Sequence, residues 1–243
     1  MKACNQVRSG TWWMVLVSLA VALGAGTVQG VVILQDDFSG PAGPVDSTKW
    51  DTLTTGSGSV ALTGAGTVQL THPTGSTAGL SGKSAFTFAA TSDIDRGRLT
   101  VAPTSHSGNS LLGLNNVPDT DWILLRNDGG DGVHWRVEMA TNSVTSQRVL
   151  SVPRTNVGTW VIDWFPGHVD ISFNGSPVFN SDSDAPDAGG WTIPTVAMKP
   201  FLFGYTGNSD VYDSVLWEIV PEPSVVMLGT ATGLLFWRRR NRR

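Results

Sequence analysis

His134, Arg136 and Glu138 occupy alternate positions in the stretch HWRVEM, and alternate residues of an extended chain share one face. A histidine, an arginine and a carboxylate in a row suit the recognition of an acidic or hydroxylated sugar, because each exchanges hydrogen bonds with sugar oxygens. The same row also suits the solvated face of an amphipathic strand whose other face carries Val133, Trp135, Val137 and Met139. Trp122, beside Asp119 and Asp121, and Trp191, after Gly189-Gly190, fall at strand or loop edges. An indole there either offers an apolar platform to a sugar ring or packs against its own loop. The four histidines, His72, His106, His134 and His168, have no metal-ligand spacing, so a zinc site is disfavoured. Gly56, Gly58, Gly64 and Gly66 lack the strand–helix context of a phosphate loop and read as turn glycines. The run from Asn180 through Asp182 and Asp184 to Asp187 alternates oxygen ligands, but without the turn glycine and terminal glutamate of a helical calcium loop it reads as an acidic surface loop.

These residues have to be held by strands. Short runs of two-fold alternation recur between clusters of Gly, Asn, Asp, Ser and Pro, and no 3.6-residue stripe interrupts them. Strands are predicted at 31–35, 68–70, 84–89, 96–101, 111–114, 122–126, 133–139, 159–164, 168–173, 201–205 and 213–220, enough for two sheets. The Gly/Ser/Thr-rich stretch 54–82 reads as loops around short strands within the same domain. In VGTWVIDWFPGHVDISFNGSPVF, residues 157–179, Trp160, Ile162 and Trp164 share one face of a strand, and Val169, Ile171 and Phe173 share one face of the next. Pro166-Gly167 supplies the turn between them and Asn174-Gly175 the turn after. Trp50, Trp160 and Trp164 are expected in the core.

That hairpin resembles a central hairpin of concanavalin A-like jelly rolls, the fold shared by laminarinase-type glycosidases, laminin-G-like modules and legume-type lectins. Asp36-Asp37-Phe38-Ser39-Gly40 with Ser47-Thr48-Lys49-Trp50 is similar to its first strand and loop, and Tyr212-Asp213-Ser214-Val215-Leu216-Trp217 to its last strand. The resemblance implies an all-β, two-sheet antiparallel sandwich over 31–220. The related glycosidases carry E-x-D-x-x-E on one strand, and glycoside cleavage needs two carboxyl groups flanking the bond. That motif is absent: the body holds Glu138 and Glu218 as its glutamates, neither with partner carboxylates at the required spacing. The body is therefore expected to be non-catalytic and to associate with extracellular polysaccharide. A structural surface protein without a sugar site and a divergent glycoside hydrolase are the alternatives. The resemblance also implies one structural calcium, with Asp213 as its carboxylate ligand and backbone carbonyls completing an oxygen shell.

The ends address the chain. Residues 1–30 carry Lys2 and Arg8 before an apolar run at 12–23 and then small residues, the pattern of a secretory signal peptide cut after Gly26 or Gly30. Cys4 is the sole cysteine, so the exported body has no disulfide to rely on. Residues 221–243 run Pro221-Glu222-Pro223, an uncharged stretch at 225–237, then Arg238, Arg239, Arg240, Arg242 and Arg243. A helix over that stretch reaches only ~20 Å against a ~30 Å hydrocarbon core, with its arginines on the cytoplasmic side. This order resembles a PEP-CTERM sorting signal, which implies export, transient anchoring by the C-terminal helix, handling by an exosortase-type enzyme and release to the surface or matrix of a Gram-negative-type bacterium. Between the ends, seventeen Asp and two Glu stand against nine Lys and Arg, a formal charge of −10 that disfavours nucleic acid.

Overall fold

The computed structural model describes residues 30–87, 95–107, 109–116, 119–128 and 131–221. The apolar run at 12–23, the uncharged stretch at 225–237 and the arginine cluster, on which the expectations of a signal peptide and a C-terminal helix rest, lie outside these residues. Gly30–Val220 form one compact unit. Its strands in chain order are β1 (Val31–Asp36), β2 (Trp50–Thr55), β3 (Ser59–Leu62), β4 (Val68–Thr71), β5 (Thr77–Gly82), β6 (Asp95–Ser105), β7 (Ser110–Asn115) and β8 (Trp122–Arg126). They continue with β9 (His134–Thr141), β10 (Val144–Pro153), β11 (Trp160–Phe165), β12 (His168–Phe173), β13 (Ser176–Asn180), β14 (Lys199–Tyr205) and β15 (Ser209–Pro221).

The strands make two antiparallel sheets, the jelly-roll sandwich expected from the sequence. One sheet runs β13-β12-β11-β6-β15-β4-β3 with β1 also pairing β15, and the other runs β10-β9-β8-β7-β14-β5-β2. The last strand is therefore interior to its sheet, between β6 and β4. Two-fold alternation sends one face of each sheet inward, where Trp50, Trp135, Trp160, Trp164 and Trp217 are fully buried. The hairpin pairs as its pattern requires, with Trp160 opposite Phe173, Ile162 opposite Ile171 and Trp164 opposite Val169. Asn174 and Gly175 both have positive φ, 50° and 77°, which a two-residue turn matched to strand twist demands. Asp36 ties the first strand to the core by accepting the Trp50 indole N–H at 2.8 Å.

Several local expectations are corrected. The strand predicted at 84–89 does not form over its described part; Phe86 makes an isolated bridge to Met198 and inserts its ring edge-on against Trp164 and Trp217. Five strands, β2, β3, β5, β10 and β13, escaped the alternation test. In β5 the reason is burial on both faces: Phe203 lies so close over Gly79 that a Cβ there would come within 2.6 Å of the ring.

Candidate active site

On β8, Ile123 and Leu125 point inward, so Trp122, Leu124 and Arg126 face outward; on β9, Trp135, Val137 and Met139 are inward, so His134, Arg136 and Glu138 face outward. The register sets Leu124 opposite Glu138 and Arg126 opposite Arg136. Two arginines thus stand abreast on the outer face, each followed two residues later in sequence by a carboxylate, Asp128 and Glu138.

Arg126 joins the two acids. Its Nη1 donates to both Glu138 oxygens at 3.0 and 3.1 Å, while Nε and Nη2 donate to Asp128 at 2.8 and 2.6 Å. Arg136 Nη2 lies 3.3 Å from Glu138 and 4.0 Å from Asp128, and its Nη1 donates to Gln147 on β10 at 2.9 Å. The Trp122 indole N–H donates to Glu138 Oε1 at 3.0 Å, and the Tyr205 hydroxyl donates to Asp128 Oδ2. Glu138 keeps only 6% of its surface exposed, so this face is a buried, paired layer and not the solvated side of an amphipathic strand. Burial raises the Asp128 pKa, but the hydrogen bond from Arg126 and the charges of Arg126 and Arg136 outweigh it and hold the carboxyl below its ordinary range. Burial likewise opposes the charge on Arg126, and its two carboxylate partners more than restore it.

Beside this layer, Phe201, Phe203 and Tyr205 fall at alternate positions on the outer face of β14. Phe201 and Phe203 stack at 5.5 Å and 14°, and Phe203 and Tyr205 lie at 6.4 Å and 40°. Half-buried rings next to fixed carboxylates and arginines form the combination of apolar faces and directed polar groups that holds a sugar chain.

Of the residues expected from sequence, Trp122, Arg136 and Glu138 meet in one cluster. His134 shares their face at the strand end, where its Nδ1 pairs with Asp131 at 2.6 Å. The hydrogen bond from His134, helped by two backbone N–H donors, lowers the Asp131 carboxyl to about 2. Trp191 is elsewhere: it sits edge-on to Phe179 at 5.0 Å and donates to the Asp184 carbonyl at 2.6 Å, which makes it loop packing. Asp213 is exposed on β15 in the other sheet, and no group of three or more His, Cys, Asp or Glu among the described residues is arranged to hold a metal. Pro221 ends β15, while Glu222, Pro223, Arg238, Arg239 and Arg240 lie outside the described residues. Arg126, Asp128 and Tyr205 were missed. Their signal was present as R-x-D and R-x-E on neighbouring strands and F-x-F-x-Y on a third.

No protein-family model matches the sequence, and a search of curated proteins returns no match. Solved structures share the fold. A β-1,3-glucanase from Mycobacterium marinum superposes with a TM-score of 0.54 at 12% identity, over 78% of this chain and 99% of its own. A β-1,3-1,4-glucanase (lichenase) from a mouse hindgut metagenome gives 0.52 at 16% identity, over 77% and 98%. An endo-acting O-glycanase of the human gut microbiota gives 0.55 at 13% identity, over 78% and 99%. The expectation of a non-catalytic body is corrected here. Solved structures of this architecture are named for glycan hydrolases, a β-1,3-glucanase and a lichenase among them.

Proposed function

We propose that the protein is a glycoside hydrolase whose glycan lies on the outer face of the seven-stranded sheet, with Asp128 and Glu138 as its two carboxyl groups. The observation that carries the reading is the placement of both acids on opposite edges of the Arg126 guanidinium, next to Trp122 and Tyr205. Cleavage of a glycosidic bond needs one carboxyl to protonate the departing oxygen and a second, ionised, to act on the anomeric carbon or on water. Asp128, held below its ordinary range by its arginines, suits the ionised role. Glu138 stands as the second carboxyl, held across the other edge of Arg126. Arg126 and Arg136 fix both groups, and the rings of β14 and Trp122 supply apolar faces for neighbouring sugars.

The names of the structural neighbours support β-linked glucans or O-linked glycans as substrates to try. The ends of the chain support export, sorting by an exosortase-type enzyme and action outside the membrane, where extracellular polysaccharide is the glycan at hand. Reducing-end release from β-1,3-glucan, mixed-linkage β-1,3-1,4-glucan and mucin glycans tests the activity. Turnover of at least one is expected, with Glu138→Gln and Asp128→Asn each lowering it by about 100-fold or more. A folded protein that cleaves none of them, or turnover untouched by both substitutions, overturns the reading.

A further inference from the structure

Behind Tyr205, on the inner side of the same sheet, lies a second polar cluster that no step above uses. Asp210 of β15 and His72, just past β4, come from the eight-stranded sheet, and both are fully buried. His72 Nε2 meets Asp210 Oδ2 at 3.0 Å. The other Asp210 oxygen accepts from the Ser110 hydroxyl at 2.6 Å and the Ser107 backbone N–H at 3.0 Å, both from the chain entering β7 of the opposite sheet. One buried carboxylate therefore bridges the two layers of the sandwich. Among the described residues His72 Nδ1 has no partner, which leaves the ring with one bond, the one to Asp210.

Two connections lead from this bridge to the outer face. Ser110, fixed by Asp210, exchanges bonds with Asn127: its N–H donates to Asn127 Oδ1 at 2.5 Å, and its carbonyl accepts the Asn127 N–H at 3.1 Å. Asn127 is fully buried and stands between Arg126 and Asp128 in the chain. The second connection runs through β14. A Cβ on Gly204 would fall 2.3 Å from His72 Nε2 and 2.5 Å from Asp210 Oδ2, so the pair sits directly beneath the residue before Tyr205. The turn after Tyr205 is closed on the same histidine, with the Gly207 N–H donating to the His72 carbonyl at 3.0 Å and the His72 N–H to the Asn208 carbonyl at 3.1 Å.

We infer that Asp210, with His72 and Ser110, is a positioning cluster that sets the Tyr205–Asp128 contact from behind the sheet. The assignment of a catalytic consequence rests on the hydrolase reading; the geometric consequence does not. Because buried hydrogen bonds to a carboxylate are short and directional, loosening the cluster shifts the chain segments it holds before it opens the core. A displacement on the order of 1 Å at reacting groups costs up to about 100-fold in rate.

The chain has two tyrosines, Tyr205 and Tyr212. With tyrosine labelled at Cζ, the carbon NMR spectrum therefore has two resonances, and Tyr205→Phe assigns them. Asp128→Asn gives the position of the Tyr205 signal when its carboxylate acceptor is lost. In Asp210→Asn and Ser110→Ala, the Tyr205 resonance should move toward that position while the far-ultraviolet spectrum stays folded. On a glycan the wild type cleaves, the same variants should lose about 10- to 100-fold in kcat with KM within about twofold. A Tyr205 resonance unmoved in a folded Ser110→Ala or Asp210→Asn protein overturns the positioning role, whatever the activity. A Tyr205 resonance that shifts in both variants, alongside a wild type that turns over none of the glycans, upholds the positioning and overturns only the hydrolase reading.

Discussion

At Asp128, burial pushes the carboxyl toward its neutral form and the arginines push it the other way, and the arginines win, leaving it below the ordinary 3.8. A carboxyl whose folded value lies below its unfolded value stabilises the fold in full above the unfolded value. That contribution is lost as pH falls through 3.8 toward the folded value. Asp128→Asn should therefore be less stable than wild type at neutral pH, with the gap narrowing below about pH 4; urea midpoints between pH 7 and pH 2 would show it. A gap constant across that range would contradict the assignment. Arg126→Ala removes the partner that Glu138 and Asp128 share and leaves two poorly exposed carboxylates with Arg136 as their nearby cation, beside the Trp122 and Tyr205 donors. A loss of about 3 kcal/mol is expected from chemical denaturation. Arg126→Lys should recover only part of it, since an ammonium keeps the charge but cannot engage two carboxylates from separate edges.

Between strands, the close approach of β5 and β14 depends on Gly79. Gly79→Ala would drive a methyl to 2.6 Å from the Phe203 ring and 2.8 Å from the Leu202 carbonyl. The substitution should cost about 1–3 kcal/mol and alter the environment of Phe203, both measurable by denaturation and aromatic NMR. On β12, burial lowers the His168 pKa, but its hydrogen bonds and charge contacts with Asp170 and Asp182 raise it further, to a net value above 6.5. A raised histidine stabilises the fold fully below its unfolded value and loses that contribution as pH climbs through the folded value. His168→Gln should flatten the stability profile above about pH 6.5. These elements also show what could be read from residues alone. The 160–173 hairpin was legible because both strands bury one face and solvate the other, so alternation and turn chemistry agree. β5 was not, since TAGLSG is covered on both sides. The candidate site was half legible for a related reason. Glu138 and Arg136 share one strand and could be seen together, whereas Asp128 and Tyr205 reach them only through sheet order, which places β8 next to β9 and sets β14 beyond β7.

Across the whole molecule, the two sheets interleave distant parts of the chain, and β1 meets β15 across almost the full length of the body. The expectation of an all-β sandwich held because a chain with many half-buried strands and no helical stripe has few other ways to cover its apolar faces. The core Trp residues provide a direct probe. Trp135→Ala should remove about 3–5 kcal/mol, and the remaining indoles should report unfolding as one cooperative fluorescence transition coincident with circular dichroism.

The place of β15 bears on when the protein can fold. Because the last strand is inserted between β6 and β4, the eight-stranded sheet has a gap in its middle until Ser209–Pro221 has left the ribosome. At ~5–20 residues per second, that is roughly 10–45 s during which the growing chain has no closed sandwich to fall into. Non-local pairing then slows the final step further. A nascent chain in this condition has no second half of its sheet to cover its apolar faces, so its backbone stays open to solvent and protease. A version ended at residue 208 should accordingly remain unfolded in buffer and stay sensitive to protease, whereas one ended at residue 221 should resist it. Equal protection of the two would show that the sandwich closes without its last strand.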